Sequence, residues 1–266
     1  MEKETMVRKT IFKYTNEGLM EEEDVIVSEY PLTMIVNGEE FATIVCSPDY
    51  LDELVIGFLA SEGVIRFKDD VKQISIDESR GFAYVDLHVK QPISRQYFSK
   101  RFIGSCCGKS RQFYLHNDVK TAKTVMSNIK VSVKQCFHLM KTMQNGSITF
   151  QQTGGVHNAA LCTANELIVT RSDIGRHNAL DKIYGHCLLE KIPVRDKIIA
   201  FSGRVSSEVL LKVSKIGVGI LLSKSAPTDL ALKLAEDLNI TVVGFIRGDK
   251  LNVYTHPERI VEVEES

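Results

Sequence analysis

Cys106 and Cys107 are adjacent in the segment Arg101-Phe102-Ile103-Gly104-Ser105-Cys106-Cys107-Gly108-Lys109-Ser110-Arg111, where glycines bound the thiols and cations flank them. Sulfur chemistry is done by the thiolate rather than the thiol, and neighbouring Lys and Arg favour the thiolate. An ordinary cysteine, with a pKa of about 8.5, is only a few per cent ionised at neutral pH; lowering that pKa by about two units takes about 2.7 kcal/mol and makes the thiolate the majority form. Arg101, Lys109 and Arg111, partly desolvated and helped by loop amides, can supply that much. Glycine on both sides and the lack of apolar periodicity argue for a loop rather than a core element. The segment therefore reads as a reactive-thiol loop. Cys46, Cys136, Cys162 and Cys187 differ, because each lies in an apolar or periodic stretch where free cysteine is usually buried and inert.

A second kind of chemistry is anion binding. Three short segments, Ser202-Gly203-Arg204, Ser223-Lys224-Ser225 and Phe245-Ile246-Arg247-Gly248-Asp249-Lys250, each combine a small or hydroxyl residue with a cation, and each follows an apolar run. Any one of them would be read as a solvated loop; the three together suggest a site for a phosphorylated or nucleotide-bearing ligand. Two more segments carry polar density that a core does not need. Gln152-Thr153-Gly154-Gly155-Val156-His157-Asn158 precedes an apolar run, and Asp173-Ile174-Gly175-Arg176-His177-Asn178 opens a helix, continued by Leu180-Asp181-Lys182. His157 and His177, with Cys162 or Asp173, match no zinc spacing, so they read as hydrogen-bonding or proton-transfer groups and no metal is expected.

Elements must position these groups. Residues 24–46 alternate apolar and polar around Asn37-Gly38, a strong hairpin signal. A helix is expected next, with Ser47 as its N-cap, Pro48 at its first position and Gly63 just past its end. Strands are expected at 71–76 and 83–89, and residues 116–130 are polar and linker-like. From 131 the pattern becomes a helix ending near Gly146, then strand 197–202, helix 205–216, strand 218–223, helix 227–238 and strand 240–246. Such alternation predicts parallel strands covered on both faces, and ligands in open α/β sheets bind beyond the carboxyl ends of the strands. The three cationic segments fall at those ends, and helix N-termini suited to anions follow two of them. The chain divides into a strand-rich region with one helix (1–98), the thiol loop and polar linker (99–130), and an α/β domain (131–266).

Composition limits the alternatives. Thirty-three basic against 34 acidic residues give a net charge of −1, which argues against a general nucleic-acid binder. No apolar run approaches the ~20 residues needed to span a bilayer. Six cysteines in 266 residues are too sparse for a disulfide framework, and the charged start lacks the apolar stretch of a secretory signal; a cytoplasmic protein with reduced thiols is expected.

Several motifs resemble one family. Thr153-Gly154-Gly155-Val156-His157 and Asp173-Ile174-Gly175-Arg176-His177-Asn178-Ala179-Leu180-Asp181-Lys182 look like the formate dehydrogenase accessory sulfurtransferase family (FdhD). The likeness continues through Ser202-Gly203-Arg204, Ser225-Ala226-Pro227-Thr228 and Val242-Val243-Gly244-Phe245 to Asn252-Val253-Tyr254-Thr255-His256-Pro257-Glu258-Arg259. It also takes in Asn37-Gly38 and the Gly57-Phe58 to Glu62-Gly63 stretch, so it covers nearly the whole chain in order. The resemblance implies an α/β fold (α+β overall), with a cytidine deaminase-like three-layer C-terminal region and a smaller strand-rich N-terminal region. It implies a homodimeric sulfur carrier that takes sulfur from a cysteine desulfurase as a cysteine persulfide. The sulfur then goes to the molybdenum of bis(molybdopterin guanine dinucleotide), which serves formate dehydrogenase. The family's cofactor stretch falls on Ile246, Arg247, Gly248, Asp249, Lys250 and Leu251, coinciding with the third strand end. Arg204, Lys224, Ser225, His157 and His177 join it as binding candidates, and a guanine nucleotide should serve as a ligand mimic. Family members often space the loop thiols as Cys-x-x-Cys, whereas here they are adjacent; aligning on Gly108 puts Cys107 on the second family cysteine, and a short gap lets Cys106 stand for the first. Two readings compete with catalysis. A zinc deaminase needs a Pro-Cys-x-x-Cys that this sequence lacks, and a non-catalytic escort of the cofactor would need the strand-end site but not the thiols.

Overall fold

A computed structural model describes residues 4–88, 102–103, 122 and 124–262. The N-terminal alternation forms two hairpins. β1 (Met6–Thr15) and β2 (Gly18–Val27) pair antiparallel from Met6↔Val27 to Thr15↔Gly18 in a two-stranded ribbon that the sequence reading did not anticipate. β3 (Tyr30–Val36) and β4 (Glu39–Cys46) form the expected hairpin, with Asn37 and Gly38 at φ 50° and 83°. Positive φ at both central residues is what a tight hairpin turn with the right twist requires. β5 (Val71–Asp77) and β6 (Phe82–Leu87) follow, and β7 (Phe102–Ile103) completes a sheet of order β5-β6-β3-β4-β7.

One face of that sheet is covered by α1 (Leu51–Ser61). Of its eleven residues only Asp52 is exposed, so the helix is apolar nearly all round because it is enclosed nearly all round. It starts later than the Ser47-Pro48 signal indicates: Tyr50, at φ 52°, is the N-cap. Ser47 is taken by a longer-range contact, its N–H donating to Asp173 Oδ2 and its Oγ accepting from the Ile174 N–H. Gly63 does lie just past the helix end, at φ 74°.

The second half begins with β8 (Val131–Ser132), α2 (Val133–Asn145) and α3 (Ile148–Thr153). β9 (His157–Cys162) and β10 (Leu167–Asp173) form a hairpin, and α4 (Arg176–Leu189) follows. Next come β11 (Ile198–Phe201), α5 (Ser207–Ile216), β12 (Ile220–Ser223), α6 (Asp229–Leu238), β13 (Thr241–Arg247) and β14 (Lys250–Val253). The sheet order is β10-β9-β11-β12-β13-β14. As expected, β11, β12 and β13 are parallel, but β9 and β14 run antiparallel to their neighbours, so the sheet is mixed. β15 (Ile260–Val261) pairs with β8. Helices α4, α5 and α6 cover one face, and α2 covers the other. This is the expected three-layer arrangement, and every residue of β11 and β12 is buried.

The two halves meet where α1 crosses α4. A Cβ added at Gly57 would overlap the backbone carbonyl of Asp181, and one at Gly185 would overlap that of Glu53, so the helices touch backbone to backbone. Three buried ionic groups surround the crossing. Glu53 receives Arg171 Nε at 2.5 Å and Nη2 at 2.6 Å, with His186 Nδ1 2.9 Å away. The fully buried Lys182 Nζ lies 2.9 Å from Asp173 Oδ2 and 2.6 Å from Asp49 Oδ1; burial alone would pull its pKa down, but these carboxylates outweigh that and raise it. Lys212 Nζ donates to both Asp181 oxygens at 2.6 and 2.8 Å, and Ser61 Oγ donates to the same carboxylate.

Two predictions follow from this seam. Gly185→Ala should destabilise the protein by about 3 kcal/mol or more, because backbone cannot move aside as a side chain can. Gly154→Ala, at φ 62° with nothing nearby, should cost only about 1 kcal/mol. Lys182→Ala should cost about 3–5 kcal/mol by stranding buried carboxylates. Urea denaturation of the three variants checks the order; a Gly185→Ala midpoint equal to wild type would refute the backbone contact.

Candidate functional site

The carboxyl ends of β11, β12 and β13 are tied into one edge. Lys224 N donates to Phe201 O at 3.1 Å, Ser223 Oγ to Gly203 O at 2.9 Å, and Phe245 N to Ser225 O at 3.2 Å. Ser206 and Thr228 cap the helices that follow, each side chain accepting from an amide in the first turn. These caps occupy part of the amide supply that a bound anion would otherwise use.

β13 reaches the edge through a bulge. Its register with β14 shifts between Gly244 and Arg247, and Phe245 sits at φ 52°, a conformation that costs a non-glycine residue of order 1–3 kcal/mol. Gly244 permits the approach: a Cβ there would come within 3.0 Å of both Ser225 O and the Tyr254 ring. The bulge leaves Ile246 buried while Phe245 and Arg247 face outward. Arg247 Nε donates to Lys224 O at 3.1 Å, which orients the guanidinium, and its outer nitrogens have no hydrogen-bond partner among the described residues.

Lys224, Ile246, Arg247 and Gly248 border an open cavity of about 530 Å³ whose opposite wall is α2, with Phe137, His138 and Lys141. The volume is in the range of sites that hold nucleotide-sized ligands. Among the described residues no carboxylate borders it. Of the other expected binding residues, Asp249 lies with Gly248 in the exposed β13–β14 turn, Lys250 opens β14 opposite Arg247, and Leu251 packs toward the α2 side of the sheet. Arg204 is exposed at the end of β11, and Ser225 contributes to the edge mainly through its backbone.

His157 and His177 sit further along the same edge, outside that cavity. His157 opens β9 opposite Asp173, and His177 is in the first turn of α4 beside Arg176. Burial lowers the His157 pKa, and the positive charges of Arg176 and His177 lower it further. Burial also lowers His177, against the pull of Glu208, whose Oε2 is 3.1 Å from Nε2 though poorly aligned for a hydrogen bond. Both rings are therefore neutral at pH 7 and able to accept or donate a proton. Arg176 Nε is buried with no hydrogen-bond partner among the described residues, and its Cβ is 3.5 Å from where a Gly203 side chain would begin.

The polar run from Asp173 to Lys182 thus has two uses. Arg176 and His177 face the edge, whereas Asp173, Asn178, Asp181 and Lys182 are buried in the seam. Reading the whole run as site density was incorrect, because Asp173, Asn178 and Lys182 bond to one another and to residues 45–49, and Asp181 bonds to Ser61 and Lys212. Phe137, His138 and Lys141 were missed. The signal lay in α2 itself, where an aromatic and a cation one turn apart border the buried stripe of Cys136, Leu139, Met140 and Met143.

The thiols divide clearly. Cys46, Cys136, Cys162 and Cys187 are buried, as their apolar settings indicated. Burial pushes the pKa of Cys136, Cys162 and Cys187 up to about 12 and raises Cys46 as well, so all four are protonated and unreactive at neutral pH. Cys106, Cys107, Arg101, Lys109 and Arg111 lie outside the described residues.

Comparison with known proteins agrees with this architecture. The chain is 60% identical over 261 residues to the sulfur carrier protein FdhD of Bacillus subtilis (strain 168), covering 98% of this chain and 99% of that one. It is 62% identical over 254 residues to the protein of the same name from Geobacillus kaustophilus, covering 96% and 97%. A crystal structure of a putative formate dehydrogenase accessory protein from Desulfotalea psychrophila superimposes with a TM-score of 0.80 at 22% identity, over 97% of this chain and all of that one, and so shares the fold. A profile of the FdhD/NarQ family matches residues 27–261, from the base of the ribbon to the last strand. The chain belongs to the FdhD/NarQ family.

Proposed function

We propose that this protein is a cytoplasmic, homodimeric sulfur carrier that accepts sulfur from a cysteine desulfurase and delivers it to the molybdenum of bis(molybdopterin guanine dinucleotide), its substrate, for formate dehydrogenase. The observation that carries this reading is the contrast among thiols in a chain closely related to proteins named sulfur carriers. Four cysteines are buried and held protonated, which leaves the adjacent pair Cys106 and Cys107 for sulfur chemistry.

The loading step balances without an added oxidant. The loop thiolate attacks the terminal sulfur of the desulfurase persulfide; a new S–S bond forms, the old one breaks, and the desulfurase cysteine leaves as thiolate. Arg101, Lys109 and Arg111 stabilise the attacking thiolate. Release of that sulfur as sulfide takes two electrons from a thiol reductant and returns the carrier thiolate. The strand-end groove holds the cofactor through its diphosphate, with Arg247 and Lys224 as the charged partners. His157 and His177, further along the same edge, are the candidates for proton transfer or for hydrogen bonds to the ligand. The escort reading keeps the groove and drops the thiol step, so it is separated from this one by the thiols alone. No helix of the described residues is long and apolar enough to cross a membrane.

Three outcomes are expected. Incubation with a cysteine desulfurase and cysteine should add about 32 Da, one sulfur, to the intact protein. Cys107→Ala should abolish the adduct and Cys106→Ala should reduce it less; a doubly substituted protein that still supports active formate dehydrogenase in cells would overturn the carrier reading in favour of the escort. Brief alkylation of the native protein at neutral pH, read by peptide mass spectrometry, should label Cys106 and Cys107 and spare Cys46, Cys136, Cys162 and Cys187. Arg247→Ala should weaken GDP binding in calorimetry by roughly 1.5–3 kcal/mol, the range for a hydrogen bond to a charged group.

A further inference from the structure

We propose that α2 is the second wall of a nucleoside diphosphate site, with Lys141 and His138 meeting the phosphates that Lys224 and Arg247 meet from the strand ends, and Phe137 carrying the heterocycle. The inference rests on the groove being the ligand site of the preceding section, and extends it to residues on a different element.

The groove has two chemistries in one opening. Its rim carries cations on both sides, Lys141 on α2 and Lys224 and Arg247 at the ends of β12 and β13, and the exposed His138 ring adds a hydrogen-bonding group beside Lys141. Cations crowded without a counter-charge repel one another, and a bound polyanion relieves that repulsion. Among the described residues no carboxylate borders the opening to neutralise them. Elsewhere on the surface cations are matched by carboxylates, since Lys233 has Asp229 at 2.9 Å and Lys197 has Asp196 at 2.6 Å. The floor is apolar, from half-buried Phe137 and buried Met140 and Ile246. A free phosphate would satisfy the rim and leave that floor wet; a flat ring joined to a diphosphate satisfies both. Stacking on an aromatic is worth about 1–3 kcal/mol per base, enough for Phe137 to matter.

The helix can offer these groups because of its spacing. Phe137, Lys141 and Gln144 fall four and three residues apart, on one stripe, while Cys136, Leu139 and Met143 hold the helix on the sheet. Lys141 and His138 are exposed, so changing them leaves the core intact.

Calorimetry with GDP, guanosine and inorganic pyrophosphate, on full-length wild type, Lys141→Ala, Phe137→Leu and Arg247→Ala, tests the arrangement. Lys141→Ala should weaken GDP and pyrophosphate about three- to tenfold and leave guanosine unchanged. Its loss should shrink as salt rises. Phe137→Leu should weaken GDP and guanosine several-fold and spare pyrophosphate. If Arg247→Ala weakens GDP while Lys141→Ala and Phe137→Leu match wild type, the role of α2 is overturned and the groove reading survives. If none of the three weakens GDP, the groove reading itself falls. If Lys141→Ala alone does so, the two-walled site is overturned in favour of a phosphate contact on α2.

Discussion

Backbone contact between two helices fixes this molecule. At Gly57 and Gly185 there is no side chain to yield, so α1 and α4 can approach only in one register. Everything placed by α4 inherits that register, including Arg176 and His177 in its first turn. The ionic groups around the crossing follow from the same closeness. Burying Glu53, Asp173, Asp181, Lys182 or Lys212 singly would be prohibitive, and each is tolerated because its partner comes from the other half or from a facing helix. Removing a partner leaves a buried charge compensated only in part by the contacts that remain. The two halves therefore act as one frame.

The three-layer half was legible because several local signals agree. Continuous apolar runs at 198–201 and 220–223 can belong only to strands covered on both faces, and the intervening helices carry their own stops. Ser206 and Thr228 cap them, and Gly217 and Asn239 end them at positive φ. The strand-end cations were legible for the same reason: once the strands were placed, topology fixed which loops meet. What local pattern could not show was competition over distance. Ser47-Pro48 has the form of a helix start, but Asp173 and Ile174, more than 120 residues later, claim Ser47 instead. The polar run at 173–182 looked like a site because a sequence does not reveal that Asp181 and Lys182 point toward different partners from those of Arg176 and His177. The α2 wall was hidden because its residues become neighbours of Arg247 only across the sheet.

Burial divides the chemistry of the chain as sharply as it divides its packing. A thiol surrounded by apolar atoms stays protonated, and an imidazole in the same surroundings stays neutral, so one physical effect silences four cysteines and readies two histidines. The bulge at Phe245 runs against economy of folding: it spends strain to turn Arg247 outward beside Lys224. Register shifts occur in other strand pairs, but among the described strands Phe245 is the one non-glycine residue at positive φ.

The ribbon of β1 and β2 has a different consequence. It is long, paired only with itself, and shows Phe12, Tyr14 and Leu19 to solvent, the make-up of a strand that invites others to join it. Its charges are sorted, however, with Arg8, Lys9 and Lys13 on β1 and Glu21, Glu22, Glu23 and Asp24 on β2. Two copies meeting edge to edge about a twofold axis would set like charges in register along the new seam. The sorting of charge thus disfavours twofold pairing of like edges, β1 on β1 or β2 on β2.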